Sequence, residues 1–245
     1  MRVPDPPAPR SHVPRWRPFG RCGQCAVCRG WGADAVCREC IERFATPAAR
    51  CQRCGLRMAV SSPMCGACLA APPPFDACIV ALDYAFPWDR LIADFKFNGH
   101  VELAGALARR LTAAIRGDGR PLPQWVLPVP LAPQRLAERG YNQAWELARR
   151  AARALGCRAD ARLLQRPLPG PHQAELSLAQ RRRNLRGAYA LQPSRRLSLH
   201  GQHVALVDDV MTSGATLREA AIALRRAGVA RIDAWALART PAPAD

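Results

Sequence analysis

The chain has 245 residues, 49% of them hydrophobic, and a formal net charge of +17. This length accommodates one medium-sized α/β domain with a small additional module, and the apolar content is sufficient for a packed core. No apolar run approaches the length of a membrane span and no apolar leader is visible, so we expect no membrane insertion and a cytoplasmic protein. The basic charge favours polyanions such as phosphates or nucleic acids. Because Lys96 is the only lysine, the arginine excess is equally compatible with a coding bias.

The composition changes sharply near residue 72. Residues 1–20 are rich in proline and arginine and predict a disordered leader. Residues 21–71 hold nine of the eleven cysteines and little apolar periodicity. The sequence APPPF at 71–75 predicts a stiff linker, which makes 72–245 a second domain.

The cysteines of 21–71 form two units of one format, in each of which two CxxC pairs follow one another. Two such pairs can place four thiolates around one tetrahedral ion, which predicts a double zinc ribbon with two structural Zn²⁺ sites. Cys22 lies close enough to the first unit to replace Cys25 or Cys28. Four CxxC pairs in tandem make a redox role a weaker alternative. Zinc bound in this way would lower the net charge to about +13. The expected ligands are Cys25, Cys28, Cys37, Cys40, Cys51, Cys54, Cys65 and Cys68.

Residues 72–245 alternate between two kinds of apolar pattern. Strands are predicted over 78–84, 125–129, 204–207 and 232–237, and helices over 88–95, 101–115, 142–155 and 217–227. This alternation predicts an α/β fold with a mostly parallel sheet flanked by helices. The segment 166–200 has little periodicity and predicts a long functional loop with short pieces of structure. Cys78 and Cys157 are expected to be ordinary buried cysteines.

The segment VALVDDVMTSGATL at 204–217 combines a buried strand, two acids, a glycine turn and a helix start. Gly214 allows the backbone to curl, so the N–H groups of 212–216 can point at one phosphate at the helix N-terminus. The hydroxyls of Thr212, Ser213 and Thr216 add donors. A plain helix cap is the simpler alternative, but a cap needs only one such side chain.

This segment closely resembles the motif with which type I phosphoribosyltransferases bind 5-phosphoribosyl-1-pyrophosphate (PRPP). Together with the cysteine units, it makes residues 22–240 resemble the ComF family, in which a zinc ribbon precedes a phosphoribosyltransferase-like domain. The resemblance implies that Asp208 and Asp209 contact the ribose hydroxyls. It also implies that the 5-phosphate is held by Thr212, Ser213, Gly214, Ala215 and Thr216.

Three further stretches match the family. DFKFNG contains Lys96, either a phosphate-contacting cation or a helix-end lysine. VLPVPL implies pyrophosphate contacts through the N–H groups of Val129 and Leu131, because prolines 128 and 130 have none. RLAERGYNQ places Arg139 with Asn142 and Gln143 at an expected helix start, where an anion or only solvent would bind.

The region from Gln173 to Ala188 matches a family segment that covers the reacting centre in related transferases. Its arginines would neutralise the departing pyrophosphate. Arg182 is the arginine most expected in this role, and Asn184 of the same motif lies two residues further on. A solvated or nucleic-acid-facing patch is the alternative for this run.

Two functions follow from the resemblance. The first is a phosphoribosyltransferase that binds PRPP with Mg²⁺ and uses Asp208, Asp209 and Arg182 to transfer phosphoribosyl to an unknown acceptor, with Trp235 as a candidate to stack a base. The second is a non-catalytic PRPP- or nucleotide-binding factor in DNA uptake that contacts single-stranded DNA or a competence-protein partner. Trp31 and Phe44 are the only aromatic residues between Cys25 and Cys68, which is few for base stacking.

Overall fold

The computed structural model describes residues 23–59, 62–166, 187–193 and 198–241. In chain order, the elements of these residues are β1 (Gly23–Gln24), β2 (Trp31–Gly32), α1 (Arg38–Phe44), α2 (Gly66–Ala70), β3 (Ala77–Asp83), α3 (Trp88–Phe97), α4 (Leu103–Asp118), β4 (Trp125–Pro128), α5 (Pro133–Arg139), α6 (Gln143–Leu155), β5 (Arg158–Ala159), β6 (Leu164–Gln165), β7 (Ala190–Leu191), β8 (His203–Met211), α7 (Ala215–Arg226) and β9 (Arg231–Arg239). None of the helices in these ranges is long and apolar enough to cross a membrane.

The centre of the fold is a five-stranded sheet with the strand order β3-β9-β8-β4-β5, and every pair in it is parallel. Helices α3, α4 and α6 cover one face through residues such as Phe95, Leu107 and Leu147. Helix α7 covers the other face through Leu217 and Leu224. The predicted parallel sheet with flanking helices is confirmed.

Strand β8 is longer than the predicted 204–207 and runs on through both acids to Met211. Its register with β9 explains the extension, because Asp208 lies opposite Ala236 and Val210 opposite Ala238. Strand pairing therefore overrides the low strand propensity of aspartate. The acids lie on the last part of a rigid strand, not in the turn that follows it.

Four elements of the second domain, α5, β5, β6 and β7, had no prediction of their own. Helix α5 has no buried residue, so it carries no apolar periodicity. Its signal is the pair Pro133 and Gly140, a proline at the first turn and a left-handed glycine cap just past the end. Strands β6 and β7 form a two-stranded antiparallel sheet at the ends of the predicted long loop. Residues 167–186 and 194–197 of that loop lie outside the described ranges.

The cysteine-rich module packs directly on the sheet domain. Val36 belongs to the same buried cluster as Leu107. The indole N–H of Trp88 donates to the Phe44 carbonyl at 2.7 Å. In the predicted linker, Phe75 is fully buried. The boundary near residue 72 stays a prediction, and the contacts across it are those of one continuous core.

Candidate functional site

A cavity of about 580 Å³ opens at the carboxyl ends of β4 and β8, where parallel α/β sheets bind their ligands. It brings together residues from distant parts of the sequence. Most of the residues that the sequence singled out line it, with several that it did not. The lining residues include Tyr84, Lys96, Phe97, Val129, Leu131, Arg135, Arg139, Asn142, Gln143, Arg166, Tyr189, Asp208, Asp209, Thr212, Ser213, Ala215 and Thr216.

The turn from Thr212 to Ala215 connects β8 to the first residue of α7. Gly214 has φ +72°, and a Cβ placed on it would lie 2.5 Å from the Met211 methyl group. A side chain there would therefore meet both backbone strain and a packed neighbour. Because α7 begins at Ala215, the N–H groups of its first turn have no acceptor within the helix, and that of Ala215 donates to the Ser213 hydroxyl at 3.4 Å. A helix N-terminus of this kind is suited to bind an anion.

The two acids at the end of β8 have different neighbours. Asp209 is buried, and its carboxylate accepts a 2.9 Å ion-paired hydrogen bond from Lys96 Nζ. Burial raises the pKa of Asp208 to about 7, and the charge of Asp209 adds to this effect while Lys96 opposes it. Asp208 thus lies in a desolvated site beside a second acid, where hydroxyl donors or a divalent cation would stabilise its charged form.

Lys96 has the position of a helix-end lysine, and a phosphate contact by its side chain stays a prediction. It stands in the last turn of α3, as a helix-end lysine would, yet its side chain reaches the acid pair across the cavity. The amide of Gln143 donates to the Lys96 carbonyl at 3.5 Å. Gln143 therefore helps to position this helix end.

The structure corrects two expectations about backbone and helix positions. The Val129 N–H donates to the Val207 carbonyl at 2.8 Å, so it is not free to hold pyrophosphate, and Val129 contributes only as a lining residue. Arg139 ends α5 and does not start a helix. Asn142 is the N-cap of α6, and its side-chain amide donates to the Val129 carbonyl at 3.0 Å.

Arg139 and Phe97 form one rim of the cavity. The Arg139 guanidinium lies over the Phe97 ring at 4.8 Å from its centre, while the ring itself is 64% exposed. Burial lowers the pKa of Arg139 from its ordinary value, and the charge of Asp209 opposes this effect. An exposed ring with a stacked cation offers a surface for a planar or anionic group.

Tyr189 and Arg166 form a second rim that sequence reasoning missed. The Arg166 guanidinium lies 5.7 Å from the centre of the Tyr189 ring. The Tyr189 hydroxyl and the Arg166 Nε are buried and have no hydrogen-bond partner among the described residues. The one available signal was the aromatic residue that follows the RRRNLRGA stretch.

Trp235 does not stack a base, which corrects another expectation. It is 1% exposed and packs in the core beneath the sheet, away from the cavity lining. Its position in the middle of β9 explains this burial. Arg182, Gln173 and Asn184 lie outside the described residues.

Each cysteine unit brings four sulfur atoms together. Within each set, all four Sγ atoms lie within 4.8 Å of one another. Cys28 and Cys37 are 3.7 Å apart, as are Cys54 and Cys65. An ion with four Zn–S bonds of about 2.3 Å requires Sγ separations near 3.8 Å, whereas a disulfide requires about 2.0 Å. The two sets are Cys25, Cys28, Cys37 and Cys40, and Cys51, Cys54, Cys65 and Cys68; Cys22 lies outside the described residues.

In each cluster, backbone N–H groups favour the thiolate form of one cysteine, Cys25 or Cys51, whereas burial raises the pKa of others, such as Cys54, to about 11. Burial opposes ionisation of Cys25, but hydrogen bonds from the N–H groups around it, including that of Cys37, lower its pKa to about 6. Cys51 is similar: burial opposes ionisation, and the Cys65 N–H and its neighbours lower the pKa to about 7. Thiolates are the form that ligates metals. The two clusters therefore fit structural zinc.

Comparison with known proteins agrees with this geometry. The chain matches the phosphoribosyl transferase domain family over residues 142–245. It is 36% identical over 228 residues to the DNA utilization protein YhgH of Salmonella typhi, which covers 89% of this chain and 97% of that protein. It is 35% identical over 226 residues to Competence protein F of Haemophilus influenzae, covering 88% and 96%.

The fold and these matches define a protein with a phosphoribosyltransferase domain and two clusters of four cysteines each. The chain belongs to the ComF family. Among solved structures, it is similar to the glutamine PRPP amidotransferase of B. subtilis, with 19% identity, 55% of this chain and 26% of that chain covered, and a TM-score of 0.37. It is also similar to a Trypanosoma cruzi hypoxanthine phosphoribosyl transferase, with 16% identity, 60% and 76% covered, and a TM-score of 0.33. These two likenesses are too distant to bear on the site.

Proposed function

We propose that the cavity binds PRPP, or ribose 5-phosphate, together with Mg²⁺. One observation carries the proposal: residues 212–216, called the phosphate turn, converge with the acid pair and Lys96 on a single cavity at the carboxyl end of the sheet. The 5-phosphate accepts hydrogen bonds from the first N–H groups of α7 and from the hydroxyls of Thr212, Ser213 and Thr216. Gly214 and Ala215 contribute backbone only.

The acid pair binds the other part of the sugar. Asp208 and Asp209 accept hydrogen bonds from the two ribose hydroxyls, and the ion pair with Lys96 holds the Asp209 carboxylate in place for this role. The same carboxylates are the residues that would hold Mg²⁺ beside the sugar, and the cation supplies neutralisation of the pyrophosphate charge. Arg139 and the Leu131 N–H form the pyrophosphate end of the site. The prediction that Arg182 neutralises pyrophosphate concerns a residue outside the described ranges.

Transfer to an acceptor is the reaction that such a site supports. The bond between ribose C1 and a pyrophosphate oxygen breaks, a bond from C1 to an acceptor nitrogen forms, and pyrophosphate leaves with the electron pair. Positive charge that develops at C1 lies near the two carboxylates, which stabilise it. Binding without transfer is the alternative, and pyrophosphate release in the presence of nucleobases distinguishes the two.

Titration calorimetry with PRPP and Mg²⁺ tests the binding site. We expect the wild type to bind and the Asp208→Asn/Asp209→Asn variant to bind more weakly by about tenfold or more, because charge-assisted hydrogen bonds to the ribose are lost. Asp34→Asn is the control, since Asp34 pairs with Arg109 on the surface of the first cysteine module. Equal affinities of the wild type and the double variant would contradict the site.

Nucleic-acid binding is a second candidate, supported by the net charge of +17 and by relatives named for DNA utilization and competence. Trp31, which is 77% exposed on the first module, is the side chain best placed to stack on a base or to contact a protein partner. A gel shift with single-stranded DNA at several salt concentrations tests this role. Trp31→Ala should weaken binding and Leu69→Ala, at a similarly exposed apolar residue, should not; equal effects would contradict stacking.

A further inference from the structure

Arg239, the last residue of β9, connects the phosphate turn to the second cysteine cluster. Its Nη1 donates to the carbonyls of Met211, at 3.1 Å, and Thr212, which are the last carbonyl of β8 and the first of the turn. Its Nε donates to the carbonyl of Cys54 at 3.3 Å. One guanidinium thus holds both the start of the phosphate turn and the backbone of a metal-ligating cysteine.

The position of Arg239 in the sheet makes this possible. Strand β9 lies between β3 and β8, and Arg239 pairs with Asp83 on one side and with Met211 on the other. The guanidinium also contacts the carbonyl and the hydroxyl of Thr240, each at 3.2 Å. A planar group with five fixed donors is suited to hold several carbonyls at once.

A second line of contacts runs parallel to the first. The turn from Cys51 to Cys54, called the knuckle, includes Gln52. The Cys78 N–H in β3 donates to the Gln52 carbonyl at 2.7 Å. The Cys78 sulfur lies 3.9 Å from the sulfur of Met211, and the Met211 methyl group fills the space beside Gly214. The knuckle is therefore packed against the residues that shape the turn.

The first cysteine cluster has no such connection within the described residues. Its module contacts the helices that cover one face of the sheet, where the Phe44 carbonyl accepts from Trp88 and Asp34 pairs with Arg109. Those contacts reach α3 and α4 and not the phosphate turn. The two clusters consequently differ in what they can influence.

We infer that Arg239 is a positioning residue that couples metal occupancy of the cluster Cys51, Cys54, Cys65 and Cys68 to phosphate affinity at the turn 212–216. A bound ion fixes the knuckle and its Cys54 carbonyl. The Cys54 carbonyl holds the Arg239 guanidinium, and the guanidinium holds the carbonyls of Met211 and Thr212. The turn is therefore already in its binding conformation when phosphate arrives. The inference rests on the proposed phosphate site and adds a mode of regulation to it.

Coupling of this kind is reciprocal. If the metal tightens phosphate binding, bound phosphate must hold the metal more tightly in the second cluster. The first cluster should not respond. This asymmetry separates a specific connection from a general stabilisation of the fold, which would slow metal loss from both.

The test uses the full-length, zinc-loaded protein and a chromophoric chelator that reports zinc release, with and without saturating ribose 5-phosphate. We expect ribose 5-phosphate to slow the release of one of two zinc equivalents by about fivefold or more and to leave the other unchanged. A Cys37→Ser variant, which lacks a ligand of the first cluster, should retain the slowed phase. In Arg239→Met, both phases should be insensitive to ribose 5-phosphate, and its affinity for ribose 5-phosphate should fall.

Arg225→Met is the matched control. Arg225 is also a partly buried arginine that donates to several acceptors, among them the carbonyls of Pro74 and Ala230 and the carboxylate of Asp76, but it contacts neither site. It should lower stability and leave the coupling intact. Loss of coupling in Arg225→Met, or its persistence in Arg239→Met, would overturn the inference.

The two proposals fail in different ways. If the wild type binds ribose 5-phosphate and both zinc equivalents leave at unchanged rates, only the coupling is wrong. If the wild type does not bind ribose 5-phosphate at all, the phosphate site is wrong and the coupling falls with it.

Discussion

At the scale of single residues, Asp208 carries the largest consequence of the site's electrostatics. In the unfolded chain it ionises near its ordinary pKa, whereas in the folded chain burial and then Asp209 raise the pKa to about 7. The folded state holds an extra proton between these values. The free energy of unfolding contributed by Asp208 is therefore fully present below the unfolded pKa and is lost as the pH rises through about 7.

This leads to a prediction for Asp208→Asn. Asparagine cannot ionise, so its contribution to the free energy of unfolding does not change with pH. We therefore expect the stability of the variant relative to the wild type to increase by ~1–3 kcal/mol as the pH rises from about 5 to about 8, even though the variant binds ligand less well. Urea unfolding at both pH values measures the difference. For Asp34→Asn, we expect almost no change in stability, because the pair of Asp34 with Arg109 is exposed. A stability difference for Asp208→Asn that does not vary with pH would contradict the prediction.

A second prediction concerns Tyr189. Its buried hydroxyl has no hydrogen-bond partner in the part of the chain that the structure describes, and burial raises its pKa to about 12, so it keeps its proton and can donate. Tyr189→Phe removes an unsatisfied polar group. We expect an unchanged or higher melting temperature and a loss of affinity for PRPP of about fivefold or more.

Tyr141→Phe is the comparison for that experiment. The Tyr141 hydroxyl donates to the Phe95 carbonyl, so its removal should lower stability by ~1 kcal/mol. If Tyr189→Phe instead destabilises the fold and leaves PRPP affinity unchanged, the hydroxyl has a structural role.

Some residue roles could be read from the sequence, and others depend on long-range contacts. That the acids and hydroxyls at 208–216 lie together at one cavity could be predicted, because a strand, a glycine turn and a helix start are contiguous; their contacts with a ligand stay a prediction. The pairing of Lys96 with Asp209 joins residues 113 positions apart, so the sequence left two roles open for this lysine. The use of the Val129 N–H by Val207 likewise depends on strand register, which no local pattern specifies.

At the scale of elements, the junction of β8 and α7 depends on Gly214. Gly214→Ala would place a methyl group in a left-handed conformation and against Met211. We expect phosphate affinity to fall by about tenfold or more, because the N–H groups of the turn no longer converge. Calorimetry with ribose 5-phosphate measures the effect.

Gly156→Ala is the matched control for this substitution. Gly156 has φ +74° as the cap of α6, but nothing lies within 4 Å of an added Cβ. It should show the cost of the conformation alone, about 1 kcal/mol of stability, with unchanged affinity. If both variants bind like the wild type, the shape of the turn does not govern phosphate binding.

The elements themselves were predictable to different degrees. Buried strands and amphipathic helices such as α4 and α6 have apolar periodicity, so their positions were predicted to within a few residues. Helix α5 buries no residue, and the strands β6 and β7 are each only two residues long. Such elements are held by contacts with the rest of the fold and leave little trace in a local pattern.

At the scale of the whole molecule, the first cysteine cluster is part of the main core. Cys25 and Cys40 are buried in the same cluster as the helices that cover the sheet. The sequence predicted a module joined by a stiff linker. It could not predict this packing, because the contacts of Val36 and Phe44 with the domain involve residues far along the chain.

We therefore predict that loss of the first metal site destabilises the entire chain. Cys40→Ala should lower the melting temperature of the single unfolding transition by several degrees, about what a loss of ~1–2 kcal/mol gives a chain of this size. Circular dichroism during thermal unfolding measures it. Cys157→Ala, at a half-buried cysteine outside both clusters, should have a small effect. A separate early transition with an unchanged main transition would show an independent module.

The most direct test of the central claim is a crystal structure with ribose 5-phosphate and Mg²⁺ bound. The account predicts the phosphate at the N-terminus of α7, within hydrogen-bond distance of N–H groups of 213–216, and the ribose hydroxyls at Asp208 and Asp209. A phosphate bound instead at Arg135 and Arg139, with the turn empty, would contradict it.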